Sequence, residues 1–90
     1  MTKEYEVVEV KYIRVKVKGK TIGIYKSVHD IGDGYAVALK NDVYYILAPN
    51  GEPICNKHFS NVGPKVDGNF TVFIDGKWVK IDKKGNIIEK

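Results

Sequence analysis

Phe70-Thr71-Val72-Phe73-Ile74-Asp75-Gly76-Lys77-Trp78-Val79-Lys80-Ile81 decides the fold of this chain. Two runs rich in aromatic and β-branched residues flank an Asp-Gly pair, the dipeptide best suited to a two-residue type I′ turn. The segment therefore reads as a β-hairpin. Asp82-Lys83-Lys84-Gly85 turns the chain again, towards a short strand over Asn86 to Glu89.

Sliding the chain 34 places repeats this pattern without a gap. Tyr25-Lys26-Ser27-Val28 falls on Phe59-Ser60-Asn61-Val62, Asp33-Gly34 on Asp67-Gly68, and Tyr44 on Trp78. Leu47 falls on Ile81, Asn50-Gly51 on Lys84-Gly85, and Ile54 on Ile88. What persists is glycine at turns and bulky residues at strand positions, the features a β unit needs. The middle unit gives strands over Tyr35 to Leu39 and Val43 to Ala48, with a turn at Asn41-Asp42 and a brief segment at Pro53-Ile54-Cys55. Ser27 to Ile31 has weak helical spacing ended by Gly32 and Gly34, and reads as a loop.

The N-terminus repeats only the second half of the unit, at an offset of 32 residues: Tyr12 with Tyr44, Val15 with Leu47, Gly19 with Gly51, Ile22 with Ile54. Alternation changes phase near Tyr12, from Val8, Val10 and Tyr12 to Ile13, Val15 and Val17. Glu9-Val10 is poor turn chemistry, which favours one bent or bulged strand over a hairpin without excluding the hairpin. The expectation is a single all-β domain over residues 1–90, organised as a half unit (1–22) and two full units (23–56 and 57–90). Its antiparallel hairpins would form a small closed or half-open barrel or sandwich of about six to eight strands. If the barrel stays open, a second copy covering the exposed edge would make a homodimer.

The C-terminal unit resembles a WG-type β repeat. The resemblance rests on Asp67-Gly68, on Phe70 to Asp75, on Gly76-Lys77-Trp78-Val79-Lys80-Ile81-Asp82 and on Lys83-Lys84-Gly85. It departs at Val79, where the family has its second glycine, and at Tyr44-Tyr45 in the middle unit; it covers about two thirds of the chain loosely. It implies a non-enzymatic β module of the kind found in many bacterial proteins, mostly with undefined binding roles.

Composition bounds the function. Ninety residues with 43% hydrophobic content allow one core, and a single cysteine, Cys55, excludes an internal disulfide. The N-terminal residues lack the layout of a signal peptide and charges interrupt every apolar run, so a cytoplasmic protein with no membrane span is expected. The net charge of +4 is unevenly placed: +3 over 1–22, −2 over 23–56 and +3 over 57–90. That total permits a nucleic-acid partner without requiring one.

The candidate binding residues are Arg14, Lys16, Lys18 and Lys20, which alternate with Val15 and Val17 and would share one face of a strand. Tyr35 and Tyr45 join them as aromatics free to stack, whereas Tyr12, Tyr44 and Trp78 hold one repeat position and are expected to pack at equivalent joints. Cys55 and His58, with His29, Asp30 and Asp33, lack the paired spacing of a structural zinc site, and no phosphate loop is present. No metal, cofactor or catalytic group is expected. The leading expectation is a non-enzymatic module that engages a protein partner, one concrete form being a phage-type inhibitor of a host protein. The alternative is nucleic-acid or nucleotide binding by the basic strand and its aromatics.

Overall fold

A computed structural model describes residues 3–9 and 12–89. Among these residues the chain is all-β, in ten strands: β1 (Lys3–Glu9), β2 (Tyr12–Val17), β3 (Lys20–Tyr25), β4 (Ser27–Gly32), β5 (Tyr35–Lys40), β6 (Val43–Leu47), β7 (Asn61–Val66), β8 (Asn69–Ile74), β9 (Lys77–Ile81) and β10 (Ile87–Glu89). They form three antiparallel sheets, ordered β1-β2-β3, β4-β5-β6 and β10-β9-β8-β7. Among the described residues there is no helix long and apolar enough to cross a membrane.

The 34-residue offset carries β4, β5 and β6 onto β7, β8 and β9 residue for residue. Among the described residues five two-residue turns join strands: Lys18-Gly19, Asp33-Gly34, Asn41-Asp42, Asp67-Gly68 and Asp75-Gly76. Each has φ positive at both residues, as type I′ requires. The wider turns correspond too, Gly51 N–H donating to the Ala48 carbonyl and Gly85 N–H to that of Asp82.

Three expectations change. Ser27 to Ile31 is not a loop but most of β4, because pairing with β5 satisfies its backbone along its length. The N-terminal stretch is not one bent strand. Lys3 pairs with Val17 and Glu9 with Tyr12, so β1 folds back on β2, and the register slips between Val7 and Glu9, opposite Ile13 and Tyr12, where the phase change suggested a bulge or bend. Val10, one of the Glu9-Val10 pair on which that turn was judged, lies outside the described residues. Among the described residues the strands number ten, a loose fit to the six to eight expected, since β4 and β7 carry little alternation.

Two cores hold the sheets together. Val15, Tyr25, Ala36, Ala38 and Leu47 are buried between the first and second sheets. Ile46, Phe59, Phe70, Val72, Val79 and Ile81 form the other core, between the second and third. In β5, Ala36 and Ala38 serve one core while Tyr35 packs against the other, so the middle sheet is covered on both sides. The outer sheets each keep one face towards solvent.

Candidate functional site

The basic strand β2 lies between β1 and β3, and the register decides what its cations meet. Arg14 stands opposite Glu6 on one side and Ile24 on the other; Lys16 stands opposite Glu4 and Thr21. Directly opposed residues share a face, so these groups lie together on the side away from buried Val15. Arg14 Nη1 donates to Glu6 Oε1 at 2.9 Å, and Lys16 Nζ lies 3.7 Å from Glu6 Oε2. The expected row of four cations is therefore broken. Lys18 sits in the β2–β3 turn with φ 54°, and Lys20 stands opposite Val17, off the Arg14 face. Arg14 and Lys16 are matched in number by Glu4 and Glu6. The pairing itself contributes little stability, about 0–1 kcal/mol for an exposed pair.

Large apolar groups stand beside the ion pair. Tyr12 lies two residues from Arg14 on the same strand and is 48% exposed, and Ile24 is 44% exposed. Both reach the rim of an open cleft of about 750 Å³ where β3 runs into β4. Tyr25, Lys26, Lys40, Asn41 and Asp42 complete its wall, with the Lys40 ammonium 5.9 Å from the centre of the Tyr25 ring. Burial, and then the neighbouring Tyr45 phenol, push the Tyr25 hydroxyl above its ordinary pKa, so it is a neutral group in this wall.

Tyr35 and Tyr45 do not form a platform. The Tyr35 ring packs 5.3 Å from that of Phe70, beneath the Lys83 ammonium, in the core between the second and third sheets. Tyr45 packs 6.3 Å from Tyr25 and 6.2 Å from His58, against the other core. They occupy opposite sides of one sheet. Of the three residues at the shared repeat position, Tyr44 bonds to the chain of the next unit, whereas Tyr12 and Trp78 are half exposed.

Cys55 packs at the join of the second and third units, so close to Gly85 that a Cβ there would lie 2.6 Å from its Sγ. His58 stands against Tyr45, and His29 projects from β4 as an exposed residue. Among the described residues no three His, Cys, Asp or Glu side chains gather in a metal-binding group.

Ile24, Lys26 and Lys40 escaped sequence reading because they converge only when the first sheet meets the second. Glu6 was legible in principle, since Glu4 and Glu6 alternate with the same period as Arg14 and Lys16. Comparison with family models, curated proteins and solved structures returns no match.

Proposed function

We propose that this chain is a non-enzymatic cytoplasmic binding module whose partner is a protein, engaged through the outer face of the N-terminal sheet and the adjoining cleft. The observation that carries this reading is the pair of half-exposed residues Tyr12 and Ile24 beside the Arg14–Glu6 ion pair. An apolar centre with a mixed-charge rim is the usual make-up of a protein-binding patch. A polyanion would instead be met by an uncompensated cationic row, and Glu6 takes that row away. A phage-type inhibitor of a host protein is one form such a module takes.

Affinity capture from the source cell or its host, followed by titration of the purified partner, tests the reading. Tyr12→Ala with Ile24→Asp is expected to weaken binding at least about tenfold while the chain stays folded. Unchanged affinity in that variant would overturn the assignment of the surface.

A second reading, nucleotide or single-stranded nucleic-acid binding, draws on Lys26 and Lys40 beside Tyr12 and Tyr25 in the cleft. It requires salt-dependent oligonucleotide binding that Lys26→Glu with Lys40→Glu abolishes. Absence of binding at low salt would remove it.

A further inference from the structure

One joint of the repeat carries charge where the next does not. Lys26 N–H donates to the Leu39 carbonyl at 2.7 Å, which sets Lys26 beside Lys40 at the end of the β4–β5 ladder. Thirty-four residues on, Ser60 N–H donates to the Phe73 carbonyl at 3.0 Å in the same way, beside Ile74. There Ile74 packs against the core between the second and third sheets. The joint therefore forms without a cation at either position, and the fold itself does not call for Lys26 and Lys40.

Both lysines are exposed and both line the cleft between the first and second sheets. Lys40 Nζ lies 5.9 Å from the centre of the Tyr25 ring, an attraction that keeps the ammonium over the cleft wall. Among the described residues neither lysine forms an ion pair. Asp42 is the one carboxylate in the wall, so the two cations outnumber it. Like charges set side by side repel, and an anion entering between them removes that repulsion. Half-exposed Tyr12 and Ile24 stand at the rim, so an apolar surface adjoins the charged one.

Charge complementarity selects the occupant. A second copy of this chain would bring the same two cations to a two-fold contact. A phosphate chain carries a charge at every nucleotide and would meet Asp42 and Glu6 along its path. A single carboxylate matches the local excess of positive charge. Resting on the protein-partner reading above, we infer that Lys26 and Lys40 receive an Asp or Glu side chain of the partner protein, next to a large apolar residue seated on Tyr12 and Ile24. The lysines then supply selection, and the rim supplies the apolar contact.

The full chain would be titrated with acetyl-Gly-Glu-Phe-Glu-Gly-amide and with its neutral counterpart acetyl-Gly-Gln-Phe-Gln-Gly-amide, following the amide resonances of residues 24–26 and 40–42. The acidic peptide should saturate with a dissociation constant of about 1 mM or tighter. It should weaken at least about threefold as salt rises from roughly 0.05 to 0.3 M. The neutral peptide should bind at least about fivefold more weakly. Lys26→Gln with Lys40→Gln should abolish that preference without altering the neutral peptide's affinity, and Lys26→Arg with Lys40→Arg should keep it. Equal binding of the two peptides by the native chain would overturn the role of the lysines while leaving the Tyr12–Ile24 surface to its own test with the captured partner. No saturation by about 10 mM acidic peptide would overturn it as well. So would tighter binding of a thymidine pentanucleotide than of the acidic peptide, which would favour the nucleic-acid reading instead.

Discussion

Tyr44 and Phe59, fifteen positions apart, exchange two backbone hydrogen bonds of 2.8 Å and thereby tie the second sheet to the third. Phe59 is almost wholly buried, while Trp78, at the Tyr44 position of the next unit, is 47% exposed. The two aromatics should therefore differ sharply in what they contribute. Phe59→Ala is expected to cost about 3–5 kcal/mol in urea unfolding, Trp78→Ala about 1 kcal/mol. Equal costs would contradict the assignment of Phe59 as the joint.

Gly76 and Gly85 both have positive φ, 80° and 89°, but only Gly85 is crowded. A Cβ at Gly76 meets nothing within 4 Å, so Gly76→Ala should cost about 1–2 kcal/mol from backbone strain alone. At Gly85 the same atom falls 2.6 Å from the Cβ and Sγ of Cys55. Gly85→Ala should cost about 1–3 kcal/mol more than Gly76→Ala, read from the shift in unfolding midpoint.

The Tyr5 hydroxyl donates to Asp30 Oδ1 at 2.7 Å, linking the first sheet to the second. Partial burial, then this hydrogen bond and the Asp30 charge, raise its pKa well above the ordinary 10.0. A raised folded pKa means stability that is fully present below pH 10.0 and is lost as pH rises beyond it. Tyr5→Phe should lower stability at neutral pH and flatten its decline in alkali. An unchanged alkaline slope would show that Tyr5 is not the group responsible.

Acid acts through two carboxylates in turns. Hydrogen bonding and charge from Lys65 hold Asp33 below the ordinary 3.8. The Asn86 amide, and then that of Lys84, do the same for Asp82. Depressed folded pKa values mean stability that is present above pH 3.8 and is lost as pH falls below it. Asp33→Asn with Asp82→Asn should flatten the unfolding curve in that acid range, and amide exchange at Lys84 and Asn86 should quicken. Unaltered acid unfolding in the double variant would remove both groups from the account.

The β8–β9 hairpin was legible because alternation and the Asp75-Gly76 turn point the same way. β7 was hidden by Gly63 and Pro64, which weaken a strand reading. Both have a place here, since β7 is an edge strand that tolerates proline and Gly63 leaves room for the Trp78 ring. β4 was hidden because Val28 and Ile31 share helical spacing that only the ladder to β5 overrides. The basic alternation of β2 was readable, but its neutralisation by Glu6 needed the register of β1. The separation of Tyr35 from Tyr45 needed to be read from strand parity, which places β5 and β6 residues on defined faces.

Amide hydrogen exchange tests most directly the claim that the Tyr44–Phe59 bridge ties the second sheet to the third. The Tyr44 and Phe59 amides should exchange among the slowest in the protein, and the Trp78 amide at least about a hundredfold faster. Exchange of Tyr44 and Phe59 as fast as that of Trp78 would mean that the bridge does not hold, and would contradict the account.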